Sequence, residues 1–200
     1  MYRKSKSNEL KPHMVTESTL MPKKKQKKVI FDRDILTYEC HHAMLAGLCL
    51  ISKNLCPKIK NDNKKLNILV LGTGTGILPM FLSRHFGSYV EKITTVEIDS
   101  GVLIAGRDYF GFQTESEPLI ESLCADAFDW VMSNDSANGL FDLILVDINY
   151  EEDGESKISP PIKFFSAEFI SKLAIIANNE SSLIAFNVVV SDDESRKKVV

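Results

Sequence analysis

No apolar run in these 200 residues approaches the ~20 that a membrane-spanning helix needs, and the N-terminal stretch has no apolar core of the signal-peptide kind. Cysteine is scarce: Cys40, Cys49, Cys56 and Cys124 show no Cys-x-x-Cys spacing. Zinc and disulfide patterns therefore lack their usual signature, and reduced, mostly buried thiols in a cytosolic (cytoplasmic) protein with no metal site are expected. Internal repeats are also missing. At 44% hydrophobic residues, the length suits one domain with a real core.

Positive charge is sparse beyond the N-terminus. Residues 1–28 hold nine Lys/Arg against two acids, whereas the remaining 172 hold 15 against 25. An acidic body offers nucleic acid no basic face, but it suits a cationic or amine-bearing substrate. The run "KKKQKK" (23–28) reads as a nuclear address, an RNA tail or, more plainly, a solvated linker. Residues 1–28 lack periodicity and are expected to be a disordered basic tail, with 29–200 forming the domain.

What is present is an alternation. "YECHHAMLAGLCLI" (38–51) sets Met44, Leu45, Leu48 and Cys49 at helical spacing, and Pro57 lies in the loop that follows. Strands are expected at 67–71, 92–98, 119–125, 141–147 and 182–190. Helices are expected at 77–86, about 100–110, 127–133 and 166–177, with Phe81 and Leu82 of the first facing inward. Such alternation argues for an α/β fold, a parallel sheet covered on both faces. Ser191 and Glu194 form a capping-box pattern shortly before the last residue, so further strands are expected beyond it.

Between the first strand and its helix runs Gly72-Thr73-Gly74-Thr75-Gly76. A dinucleotide turn wants glycine where Ile77 stands, and no Gly-Lys-Ser/Thr follows as a phosphate loop requires. A G-x-G-x-G turn better matches the loop that wraps the amino-acid tail of S-adenosylmethionine in class I methyltransferases. A zwitterionic tail is served by open amides and a helix N-terminus without a lysine. The plainer reading is a tight turn.

Acids end the next three strands: Glu97 with Ile98 beside it, Asp126 followed by Ala127, and Asp147. Glu97 is placed to accept ribose hydroxyls, Asp126 to accept from an adenine amino group, and the Ala127 amide to donate to the ring. All lie at the carboxyl edge, where open α/β sheets bind ligands. A nicotinamide cofactor would account for Glu97 but not for Asp126 and Asp147. Past Asp147, "DINYEEDGE" (147–155) adds Glu151, Glu152, Asp153 and Glu155, an attraction for an amine or simply an acidic surface loop.

Taken with "YECHHAMLAGL", "YFGF" (109–112), "ADAFDW", "DLILVDIN" and "SPPIKFFSAEFISKL", these motifs resemble the C-terminal domain of the dual lysine and N-terminal methyltransferases of elongation factor 1-alpha. The resemblance spans about 38–175. It implies a class I, Rossmann-like, spermidine-synthase-like fold and methyl transfer from S-adenosylmethionine to the elongation factor's α-amine or a lysine. It also implies that the helix bearing Glu39, His41 and His42 is part of a lid. Adjacent histidines point to different helix faces, so a shared metal is not expected, and ordinary surface residues are the alternative.

Polyamine synthesis is the related chemistry. It calls for an acid in the glycine loop, where Thr75 stands, and another at Tyr150. The resembling family often carries a second acid two residues after the first, and here that residue is Asn149. Asp147 is the candidate to orient the amine and take a proton, with Asn149 or Tyr150 hydrogen-bonding to it. A catalytically silent module that keeps the fold is the remaining alternative.

Overall fold

The apolar runs "LNILVL" and "LILV" become the two innermost strands of a sheet, β3 (Leu66–Leu71) and β6 (Leu143–Val146). Their hydrophobicity, broken only by Asn67, is what burial on both faces demands. The computed structural model describes residues 14–16, 29–32, 34–47, 65–112, 114–149, 158–178 and 182–190. Before β3 come β1 (Met14–Thr16), β2 (Val29–Phe31) and α1 (Glu39–Ala46). After it follow α2 (Ile77–Phe86), β4 (Val90–Glu97), α3 (Ser100–Phe110), β5 (Ile120–Cys124) and α4 (Ala127–Ser133). Beyond β6 lie β7 (Ile158–Ser159), α5 (Ala167–Ile176), β8 (Leu183–Phe186) and β9 (Val189–Val190).

The main sheet runs β5-β4-β3-β6-β8 with every neighbouring pair parallel. Strand order reverses between β3 and β6, which opens a crevice at their carboxyl ends. Alternate side chains build two cores. Ile68, Val70, Ile93, Leu143 and Leu145 pack with Leu78 and Leu82 of α2, Met44 of α1 and Phe112. Leu69, Leu71, Val96, Ile144 and Val146 pack with Val131 of α4 and Phe169, Leu173 and Ile176 of α5. Leu82 is buried as expected, and half-buried Phe81 lies against the His85 and Phe86 rings. Among the described residues no helix is long and apolar enough to cross a membrane.

Some expectations shift. The strand expected over 182–190 is two strands in two sheets. Asn187 interrupts it, and Val189–Val190 turns aside to pair antiparallel with Ile158–Ser159. Within the tail expected to be disordered, Met14–Thr16 pairs antiparallel with Val29–Phe31. The rest of 1–28, Leu48 and Cys49 of the expected first helix, and the capping pattern at Ser191 and Glu194 lie outside the described residues. The segment before α1 is docked by buried Leu36 and by Asp34, which pairs with Arg84 and, at 3.2 Å, with His85 of α2.

Two glycines of the turn do different jobs. Gly76 has φ +87, and a methyl group there would overlap the ring of Phe112, which is itself buried. Gly74 has φ +54 but faces open space. Gly74→Ala should therefore cost about 1–2 kcal/mol, the left-handed backbone term alone. Gly76→Ala adds overpacking and should cost roughly 2–5 kcal/mol. Urea unfolding of the two variants checks the ordering, and equal losses would contradict it.

Candidate functional site

Parallel register lines up the strand ends. Leu71 pairs with Val96 on one side and Val146 on the other, Glu97 pairs with Cys124, and Val146 pairs with Phe186. The residues just past those pairs form one rim: Gly72, Glu97, Asp126, Asp147 and Asn187. Backbone bonds knit it together, from Gly72 N–H to Val96 O at 2.9 Å and from Asp147 N–H to Leu71 O at 2.8 Å. The Asn187 N–H bonds Val146 O at 2.9 Å. A methyl on Gly72 (φ +91) would collide with the Asp147 carbonyl, so only glycine lets the turn and the β6 terminus approach so closely.

The turn is held from within the chain. Gly74 N–H donates to Glu97 Oε2 at 2.8 Å, and Asp99 N–H donates to Glu97 Oε1 at 3.1 Å. The carboxylate at the end of β4 thus ties the loop to the strand before anything binds. α2 starts at Gly76 with no capping side chain and no acid in its first turn, which leaves orphan amides for a negative group. Thr73 is buried, and its hydroxyl has no partner among the described residues. Ile98 stands 60% exposed above the rim. On the outer side, Gly106 of α3 packs on the loop, where an added Cβ would come 3.0 Å from Thr75 O.

Asp126 caps α4. Its Oδ1 accepts from the Phe128 and Asp129 amides at 2.7 and 3.2 Å, and it makes no claim on the amide of buried Ala127. Its Oδ2 lies 3.3 Å from Lys163 Nζ, which also sits over the Phe128 and Phe164 rings at 4.9 and 5.4 Å. Partial burial pushes the Asp126 carboxyl up, but the two amides and Lys163 outweigh it and leave the group below its ordinary range. Half-buried Trp130 packs toward Phe141, ring centroids 6.3 Å apart, on the sheet side.

Asp147 is the most constrained group of the rim. Its Oδ2 accepts from His41 Nε2 at 2.6 Å, and its Oδ1 accepts from Asn187 Nδ2 at 2.8 Å. Burial by itself would raise this carboxyl, and the His41 and Asn187 hydrogen bonds with the nearby imidazole bring it below the ordinary value. The surface reading of the α1 side chains fits Glu39 and His42, which are exposed, but not His41, which is buried. Cys40 Sγ, a His41 nitrogen and an Asp147 oxygen lie within 4.8 Å of one another. The direct 2.6 Å contact leaves no room for an ion between His41 and Asp147. Burial, and after it the charge of Asp147, also push the Cys40 thiol up and away from the thiolate a metal would need.

Not every sequence candidate joins this cluster. Asn149 is exposed, and its Oδ1 accepts from Ser159 Oγ at 3.4 Å while that hydroxyl also donates to Ile148 O at 2.8 Å. Tyr150 and the acids at 151–155 lie outside the described residues. Three side chains escaped sequence reasoning: the buried state of His41, Asn187 and Lys163. Asn187 carried a signal, since it is the sole polar residue in "AFNVVV".

Acid titration follows from these contacts. Asp126 and Asp147 titrate lower in the folded chain than the ~3.9 of a free aspartate. Their stabilisation is complete above that value and is lost as pH falls through the lowered folded values. Melting temperature should drop as pH falls below about 4, and Asp147→Asn should flatten that dependence. Identical slopes for the two proteins would show that the carboxylate contributes nothing.

The uncapped helix, the orphan Thr73 hydroxyl, the open space at Gly74 and the acid after β4 together fit a zwitterionic nucleoside such as S-adenosylmethionine. No protein-family model matches the sequence. Among curated proteins, the eEF1A lysine and N-terminal methyltransferase of Bos taurus is 31% identical over 163 residues. The match covers 80% of this chain but 22% of that protein, so the chain spans about a fifth of its relative's length. The polyamine aminopropyltransferase of Sodalis glossinidius is 28% identical over 79% of the chain and 48% of its own length. Among solved structures, human methyltransferase-like protein 13 in complex with SAH aligns with TM-score 0.67 and 30% identity over 81% of this chain and 70% of that one. A "probable spermidine synthase" from Corynebacterium glutamicum (TM-score 0.55, 19% identity, 76% of this chain and 48% of that one) shares the fold. The α/β architecture of this chain is that of S-adenosylmethionine-dependent methyltransferases and spermidine synthases, and the chain belongs to the family of the eEF1A lysine and N-terminal methyltransferases.

Proposed function

We propose that this chain binds S-adenosylmethionine at the sheet rim and methylates a protein amine, the N-terminal α-amine (or a lysine) of elongation factor 1-alpha. The supporting observation is the pre-assembled turn: Gly74 and Asp99 amides held by Glu97 beside an uncapped helix. Gly72, Thr73, Gly74 and Gly76 would take the amino-acid tail, with the first amides of α2 meeting its carboxylate. Each Glu97 oxygen accepts one N–H and keeps a second lone pair, so both remain able to accept a ribose hydroxyl. Asp126 and the Ala127 amide would receive the base, with Ile98 against it. Once bound, the cofactor supplies an electrophilic sulfonium methyl. The chain's own work is to hold the amine in line and neutral.

Neutrality favours the α-amine. Its reference pKa of about 7.7–8.0 lies roughly 2.5 units below that of lysine, a difference of about 3.5 kcal/mol in deprotonation. An acidic stretch over 147–155 and an acidic body would draw the ammonium form in. The relatives' names support the elongation factor as substrate, and the free Cys40 and Cys124 fit a cytoplasmic setting. Aminopropyl transfer to a diamine is the second reading, favoured by the Sodalis relative and opposed by Thr75 and Tyr150 at the positions that want acids. A silent binding module is the third, favoured by Asp147 having both oxygens engaged.

Titration calorimetry with S-adenosylmethionine, then radiolabel transfer to a peptide bearing the elongation factor's free N-terminus, tests the proposal. Binding and transfer are expected, with cofactor affinity lost in Gly74→Ala while the fold persists. Binding without transfer supports the silent module. Turnover of putrescine with the decarboxylated cofactor supports the polyamine reading. No binding at all sinks all three.

A further inference from the structure

We infer that His41, oriented by Asp147, is the proton acceptor of the transfer, and that Asp147 itself is not. This rests on the methyl-transfer reading above and deepens it. A carboxylate whose oxygens already accept from His41 Nε2 at 2.6 Å and Asn187 Nδ2 at 2.8 Å must release a partner before it can take a proton. It is also acidified by those partners, which makes it a weaker base still. Its place in the network is that of an orienter.

The ring it orients keeps one nitrogen without a partner among the described residues. An ionised carboxylate has no proton to give, so the hydrogen of the 2.6 Å contact belongs to Nε2. In the neutral ring the lone pair then sits on Nδ1, the tautomer being set by the bond the other nitrogen makes. His41 Nδ1 is buried and has no partner among the described residues. A buried acceptor without a donor is unfavourable unless a ligand completes it, and an incoming ammonium would do so. The ring lies on α1, whose docking through Leu36 and Asp34 brings it to the β6 end of the rim.

The groups around the imidazole suit a transient positive charge. Asp147 faces it from the end of β6. Cys40, on its own helix, is held as the neutral thiol by burial and by that same carboxylate. Tyr38, preceding the helix, packs edge-on with ring centroids 5.4 Å apart. Protonation therefore creates an ion pair with Asp147 and meets no second cation among these neighbours.

The step balances. An R–NH3+ group gives one proton to Nδ1, where an N–H bond forms, and the broken bond's electron pair stays on the amine nitrogen. That pair attacks the methyl carbon as the carbon–sulfur bond breaks toward sulfur. The imidazolium afterwards returns its proton to water. An imidazole is the one side chain whose ordinary charge change falls between pH 5 and 8, the range in which an α-amine needs this help.

His41→Gln separates the two roles, because an amide can still donate to Asp147 but cannot take a proton. At pH 7 its kcat should fall about 10²-fold with KM and cofactor affinity unchanged. Its rate should keep rising toward about pH 9, where a free α-amine is neutral unaided, while the unsubstituted chain has already levelled. Imidazole 15N shifts should identify the Nε2–H tautomer of His41, with SAH bound. A His41→Gln variant with undiminished kcat and an unaltered pH profile, or the opposite tautomer, overturns the base while the transfer reading stands. A chain that binds cofactor but transfers nothing overturns both.

Discussion

The whole site hangs on the contact of two backbones. β3 and β6 leave the sheet side by side, and the Gly72 Cα must pass against the Asp147 carbonyl without a side chain between them. That approach welds the glycine turn to the strand carrying the most constrained acid. Gly76 against Phe112 and Gly106 against Thr75 repeat the device on the outer side of the loop. The loop's glycines are thus mainly places where something else must fit. Gly74 is the exception: a Cβ added there would meet nothing within 4 Å.

Acids on the rim are structural before they are chemical. Glu97 holds two amides, Asp99 caps α3 through the Gly101 amide at 2.7 Å, Asp126 caps α4, and Asp147 holds two side chains. Negative charge gathered at one sheet edge would repel itself in an unpaired state. Here each group is met by donors already in place, so the site needs little reorganisation to receive a polar molecule. The arrangement explains why strand ends rich in acid are compatible with a stable fold.

Much of this was legible in the sequence, for a physical reason. α4 falls at the residues its pattern indicated because Asp126 both ends the strand connection and caps the helix, a purely local signal. β3 and β6 were readable as apolar runs, broken only by Asn67 near the start of β3, of the kind a doubly covered strand carries. The strand over 182–190 was read as one because its composition is uniform apart from Asn187. What breaks it is Asn187 turning its amide to Asp147, 40 residues away. The pairing of His41 was equally opaque: its place three residues before Met44 puts it on the buried side of α1, but its partner is 106 residues distant. Long-range polar pairs leave no periodicity behind. Lys163, 37 residues from Asp126, escaped for the same reason.

Lys163 would also bear on which base the proposed site accepts. A nucleobase amino group reaching the outer oxygen of Asp126 finds an ammonium already there, but the pair is solvent-exposed and its displacement costs at most about 1 kcal/mol. A carbonyl at the same spot would be repelled by the carboxylate yet greeted by the lysine. Were the base to bind here as proposed, Lys163, which pairs with Asp126 while lying over Phe128 and Phe164, would blunt the edge's selectivity between purines.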